Sequence, residues 1–271
     1  MTVRQTLSSL RSVLRRIWGN SLGRIALILS LIAGGMYGCV VVSFPQESVR
    51  YRMTIDIEAD GKVHTGSGVI EVTYRLDPNW LPQSRYVQAW SHGEAVAIDL
   101  GPRGVVFALL EGLVVRTGGY GPDPNNLVIQ TFGPMDSLGG MTRAELRKIG
   151  RLSGSAELPL TGPHIPNLVS FADPTEPTSV RVVYATDHPR VHWKGSSKVL
   201  VDNFAALYGA GARLKRVHIE MTRDPVTRGI EKHLPWLAGP KSGPLDGHGT
   251  HRMSEDRWSL ANSLSGYNFR R

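Results

Sequence analysis

The stretch "YRMTIDIEADGKVHTGSGVIEVTYRL" (residues 51–76) decides the fold. Its first eight residues alternate without a fault. Tyr51, Met53, Ile55 and Ile57 fall on one side, and Arg52, Thr54, Asp56 and Glu58 on the other. A period of two places successive side chains on opposite faces, so this segment predicts a half-buried β-strand. "ADGK" (59–62) centres an Asp-Gly pair, the residues that accept the positive φ of a tight hairpin turn. The return arm alternates from Ile70 through Val72, Tyr74 and Leu76, with Glu71, Thr73 and Arg75 opposite. Followed backwards, its register breaks at Gly66-Ser67-Gly68, because Val63 and Val69 carry odd numbers. A bulge at the glycines would restore the inward face. The stretch predicts a long antiparallel hairpin with a kinked second arm.

The same patterns continue downstream. "GEAVAIDLGPRGVVFALLE" (93–111) predicts a second hairpin turning at "GPRG", and "NLVSFAD" (167–173) with "SVRVVYA" (179–185) a third across "PTEPT". "LVIQTF" (127–132) reads as a strand after the loop 118–126, and "RLKRVHIEMT" (213–222) as a strand with Val217, Ile219 and Met221 inward. "MTRAELRKIG" (141–150) predicts a helix: Thr142 is the N-cap, Glu145 completes a capping box and Gly150 stops it. Residues 153–166 read as loop, 199–211 hold a short helix ended by Gly209, and 227–237 form a helical turn stopped by Pro235. The fold class expected is α+β, predominantly antiparallel β hairpins with two or three short helices. One N-terminal membrane helix precedes it.

That helix is expected from the first 44 residues. Arg4, Arg11, Arg15, Arg16 and Arg24 carry five positive charges there and no acid offsets them. The net charge of +8 therefore leaves +3 for residues 45–271, too mild for a nucleic-acid footprint. Ile25–Phe44 are twenty positions without a charge, roughly 30 Å as a helix, the thickness of a bilayer's hydrocarbon core. Arginines on the leading side keep the N-terminus in the cytoplasm. Leu7, Leu10, Leu14 and Ile17 share a helical face upstream, with Trp18 at the interface, which suits an anionic membrane surface. Four fates are open for this segment: an uncleaved span, lipid attachment at Cys39 after Gly38, cleavage elsewhere, for example at Ala33-Gly34-Gly35, or an organelle presequence, since residues 1–20 are Arg- and Ser-rich and lack acids. Tyr37 and the apolar "VVVSF" after Cys39 suit a lipoprotein signal poorly. The chain divides into a basic cytoplasmic leader (1–24), the membrane segment (25–44), a β-rich domain (45–237) and a polar C-terminal arm (238–271).

Candidate chemistry is sparse. Cys39 is the single cysteine, so neither an internal disulfide nor a cysteine zinc site is available. No glycine-rich loop links a strand to a helix, and no cofactor is expected. Asp246, His248 and His251 in "DGHGTH" carry donors for zinc or nickel, weighed against a polar tail. Ser67 lies in Gly-Ser-Gly within a strand, where a nucleophile elbow needs a strand-to-helix turn. Asp56, Glu58 and Glu71 are carboxylates for acid–base work if the hairpin brings them together. Leu234, Trp236 and Leu237 either cap the core or anchor a partner.

The runs "YRMTIDIEADGKVHTGSGVIEVTY", "GEAVAIDLGPRGVVFALL", "IPNLVSF" (165–171) and "MTRDPVTRGIEKHLPWL" together resemble a family of uncharacterised proteobacterial proteins, as does the tail "SLANSLSGYNFRR". Members of that family begin with an export or lipoprotein signal closely followed by the tyrosine-bearing hairpin. The resemblance implies a bacterial envelope address and adds weight to Cys39 as a lipid site. It implies no activity. The expected function is a membrane-anchored periplasmic protein that binds or scaffolds, its partners the lipid bilayer and another envelope protein. The alternative is a membrane-tethered hydrolase or a metal-dependent enzyme.

Overall fold

The structure, a computed structural model, describes residues 25–26, 28–35, 45–76, 87–110, 124–133, 141–161, 164–185, 201–239, 243–248 and 259–271. The opening hairpin forms as expected: β1 (Gln46–Ala59) and β2 (Lys62–Leu76) pair antiparallel. Asp60 and Gly61 turn between them with φ of 51° and 71°. The odd residues of β1 from Val49 to Ala59 are buried, with Tyr51, Ile55 and Ile57 fully enclosed.

The second arm departs from expectation. Pairing runs without a shift from Gln46↔Arg75 to Ala59↔Lys62, so there is no bulge at Gly66-Ser67-Gly68 in this ladder. Even-numbered residues face inward along the whole arm, and Gly66 and Gly68 are the inward residues at its far end. They are glycines because another strand comes close. A Cβ on Gly66 would lie 2.4 Å from the Ala97 carbonyl oxygen and 2.7 Å from Ile98 Cγ1. Val63 is simply left half exposed on the outer face. The register shift falls instead where β1 meets β10 (Arg213–Thr222), between Asp56↔Arg216 and Ile57↔Leu214, leaving Lys215 as the extra residue.

Among the described residues ten strands make two five-stranded antiparallel sheets. β3 (Val87–His92), β2, β1, β10 (Arg213–Thr222) and β6 (Ser155–Glu157) form the first in that order. β4 (Val96–Asp99), β5 (Val105–Ala108), β7 (Leu168–Phe171), β8 (Val180–Ala185) and β9 (Val201–Asp202) form the second. β6 lies in the stretch read as loop. It is three residues long and takes its partners from the edge of β10, a tertiary pairing that a local pattern cannot carry.

Layering explains the two kinds of strand in the sequence. The first sheet buries one face and shows a polar one, so β1 and β2 alternate. The second sheet is covered on both faces. Val96, Ile98, Val106, Ala108 and Leu168 join the core shared with the first sheet. Phe107, Leu109, Val169 and Ala185 join a separate core on the other side. Burial on both sides is why "VVFALL" reads as a continuous apolar run.

The second core is closed by the chain's last described segment. Leu264 and Phe269 are buried in it beside Ile230, Leu234 and Leu237. Residues 269–271 run beside Gly93–Ala95: the Ala95 N–H donates to the Phe269 carbonyl at 2.7 Å, and Gly93 and Arg271 exchange both backbone bonds. Glu94, 2 % exposed, accepts from the Ile230 N–H at 2.9 Å and faces Arg270 Nε at 3.2 Å. Arg270 also pairs with Glu231. A buried carboxylate persists only with such compensation. The stretch read as a polar arm thus ends as part of the domain.

Four short α-helices occur among the described residues of the domain: α1 (Pro124–Phe132), α2 (Arg143–Ile149), α3 (Phe204–Tyr208) and α4 (Leu260–Ser263). α1 replaces the strand expected over 127–132. Its β-branched residues point to a strand locally, but Leu127, Val128 and Ile129 are buried here on a helix that begins with Pro124. Propensity yields to tertiary burial. α3 ends at Gly209 as expected, whereas 227–237 holds two 3-10 turns, Ile230–Lys232 and Pro235–Ala238.

α2 carries the predicted capping box. The Glu145 carboxylate accepts the Thr142 N–H at 2.7 Å and its hydroxyl at 2.8 Å. The backbone bond first, then the hydroxyl, holds the Glu145 carboxyl below the ordinary glutamate value. Removing the Thr142 cap in Thr142→Ala is expected to cost about 1 kcal/mol in thermal unfolding. The pH dependence follows from the direction of the Glu145 shift. Its stabilising effect is complete above the unfolded pKa of about 4.3 and is lost as pH falls through the lower folded value. Glu145→Gln is expected to flatten that part of the acid limb, measured as melting temperature against pH.

Residues 28–35 are helical, and Ile25, Ile28, Leu29, Leu31 and Ile32 each leave more than half their surface exposed. Among the described residues no helix is long and apolar enough to cross a membrane.

Candidate functional site

A concavity of about 670 Å³ opens near the start of β1. Its walls come from three places distant in sequence: Ser48–Arg50 of β1 with Glu71 beside them on β2, Gly150–Ser153 after α2, and Met221–Arg223 at the end of β10.

Each wall is fixed by local chemistry. α2 stops at Ile149, and Gly150 lets the following turn press against β1. A Cβ there would sit 2.3 Å from Glu47 Oε2. The Arg151 and Leu152 N–H groups return to the Lys148 and Ile149 carbonyls at 3.0 Å each. The Met221 N–H donates to the Gly154 carbonyl at 2.9 Å and ties this turn to β10. On the other side, Asp224 accepts Thr222 Oγ1 at 2.8 Å and Arg52 Nη2 at 2.5 Å. The hydroxyl first, then the guanidinium, holds the Asp224 carboxyl below the ordinary aspartate value.

Three arginines line the cleft, and they are not equivalent. Arg50 is already engaged: its Nε donates to Glu71 Oε2 at 2.6 Å and its Nη1 to the Asp224 carbonyl at 3.4 Å. The side chains of Arg151 and Arg223 have no hydrogen-bond or ion-pair partner among the described residues, and both residues are exposed. With Glu71 as the lining carboxylate, the walls carry 3 − 1 = +2. A concave, polar, positively charged site with two planar donor forks unpaired among the described residues suits an oxyanion.

The sequence-predicted residues fall elsewhere. Asp246 is held in a local turn. Its carboxylate accepts from the His248 N–H at 3.0 Å and from Asn262 Nδ2 at 3.1 and 3.0 Å, which ties residues 243–248 to α4. The His248 ring bonds the Asp246 carbonyl at 2.7 Å and is otherwise exposed. His251 and Cys39 lie outside the described residues. Among the described residues no three His, Cys, Asp or Glu are placed to hold a metal.

Leu234 and Leu237, named as core caps or partner anchors, are buried in the second core. Trp236 packs on the same core, its ring 5.8 Å from Phe171 and 5.5 Å from Phe269. Ser67 stands on the outer face of the first sheet opposite Thr54 and makes no strand-to-helix elbow. The three carboxylates are spread along the hairpin, each with its own arginine: Asp56 with Arg216, Glu58 with Arg213, Glu71 with Arg50. They form no acid–base pair. The cleft arginines escaped the sequence reading because "GRLS" and "TRDP" are ordinary turn chemistry, and only the fold brings them together.

Comparison of the chain with family models, with curated proteins and with solved structures finds no match.

Proposed function

We propose that the chain is a bacterial envelope protein held in the inner membrane by residues 25–44, with its N-terminus in the cytoplasm and its β-rich domain in the periplasm. It works by binding, and the cleft between β1, the α2 turn and the end of β10 is where it binds. The observation that carries the tether is the exposure of Ile25, Ile28, Leu29, Leu31 and Ile32 outside both cores of the domain. Moving such a side chain fully out of water is worth about 2 kcal/mol, so five together favour a bilayer by on the order of 10 kcal/mol. Five arginines and no acid precede them, which supports the orientation.

The binding role draws on Arg151 and Arg223 of the cleft, whose side chains are unpaired among the described residues. Membranes from expressing cells, washed in alkaline carbonate, are expected to retain the chain. Its intact mass is expected to be that of the full 271 residues. Release into the soluble fraction contradicts the tether. A mass beginning at Cys39 with added acyl chains replaces the retained span by a lipid anchor.

A further inference from the structure

We infer that the cleft binds the phosphate of an anionic phospholipid headgroup, presented by the same membrane that holds residues 25–44, through Arg151 and Arg223. The inference rests on the tether reading above for the source of the ligand, and on the cleft alone for its chemistry.

The chemistry comes from the walls. Arg151 and Arg223 approach from separate elements, one after α2 and one after β10, and neither is neutralised among the described residues. Their five-donor forks match tetrahedral oxyanions and bind them bidentately. Arg50 is occupied by Glu71, which keeps it from adding a third free charge. Ser153 adds a hydroxyl to the lining, while the Ser48 and Thr222 hydroxyls there are bonded to Thr73 and Asp224. The volume, about 670 Å³, lies in the range of small-ligand sites. The lining of charges and hydroxyls suits a headgroup and rejects an acyl chain.

The source comes from position along β1. The uncharged run ends at Phe44, and Arg50 follows six residues later. At about 3.3 Å per extended residue, Arg50 lies at most roughly 20 Å of chain from the end of the tether. β1 spans fourteen residues in all, Gln46–Ala59, and runs on from Arg50 to the turn. The cleft therefore sits at the tethered end of the hairpin, and the Asp60–Arg103 clasp at the far end. A site of charge +2 this near a bilayer meets headgroups at high local concentration. A zwitterionic headgroup brings its own cation, which the two arginines repel, so an anionic lipid is favoured.

Two titrations of the full-length chain separate chemistry from source. In non-ionic detergent micelles, calorimetry with glycerol 1-phosphate is expected to show binding that weakens at least about tenfold in the double variant Arg151→Ala/Arg223→Ala, while the variant melts as the parent does. Equal binding by the variant, no binding by the parent, or tighter binding of citrate overturns the phosphate assignment. In bilayer discs of phosphatidylcholine with or without phosphatidylglycerol, hydrogen exchange at residues 150–153 and 222–224 is expected to slow with the anionic lipid in the parent only. Unchanged exchange, alongside glycerol 1-phosphate binding in micelles, overturns the headgroup as source and leaves a site for a free phosphate ester. A chain that does not enter the discs contradicts the tether, and the headgroup with it, while the micelle titration still reads the cleft.

Discussion

Phe269→Ala is expected to destabilise the domain by about 4 kcal/mol. The ring is fully buried and stands 5.5 Å from Trp236, 5.7 Å from Phe171 and 6.4 Å from Phe107, centroid to centroid. Removing it empties the centre of the second core, and the surrounding rings are held by β5, β7 and the Pro235–Ala238 turn, so they cannot close the gap. The cost is then the lost transfer of a phenyl group plus the cavity it leaves. For a domain of this size that corresponds to a fall in melting temperature of roughly 10 °C. Tyr267→Ala, two residues earlier and half exposed, is the control and is expected to change stability by less than about 0.5 kcal/mol. Thermal unfolding followed by tryptophan fluorescence reads both. A Phe269→Ala chain as stable as its parent would mean that the final segment is not docked.

Gly66→Ala is expected to cost about 3 kcal/mol, although it adds a single methyl group to a strand. On an ordinary strand position the same change is favourable, because alanine lowers the entropy of the unfolded chain. Here the methyl meets the Ala97 carbonyl oxygen at 2.4 Å and Ile98 Cγ1 at 2.7 Å, and backbone cannot rotate away as a side chain can. Relief requires β4 to move off β2, which opens the core between the sheets. Gly68→Ala meets side-chain atoms alone, the nearest being Val96 Cγ2 at 3.1 Å, and is expected to cost less. The ratio of the two separates close approach from a bulge: a bulged arm would tolerate both substitutions alike. Denaturant unfolding of the two variants measures it.

That pair also shows where the sequence could be read and where it could not. Strict alternation in β1, the Asp60-Gly61 turn and the Thr142–Glu145 capping box are local signals, and each forms as the residues require. The glycines of β2 are visible as an irregularity, but their cause is a strand thirty residues away. In α1, "LVIQTF" carries a strand-like composition; Pro124 at its first position was the local sign of a helix start. The tail looks polar because the residues before Ser259 are polar, while Leu264 and Phe269 are too few to make a periodic pattern. The cleft was the least legible feature. Arg151 and Arg223 are 72 residues apart, and nothing in either neighbourhood marks them until β10 pairs with β1 and Met221 bonds Gly154.

Cysteine chemistry gives the most direct test of the account, because Cys39 is the only thiol in the chain. In a Cys39→Ser background, Ser153→Cys places one thiol on the exposed cleft wall. Intact spheroplasts are then treated with a membrane-impermeant maleimide. The account predicts full labelling without permeabilisation, with the labelled chain in the membrane fraction. Labelling only after the inner membrane is broken would put the cleft on the cytoplasmic side and contradict it.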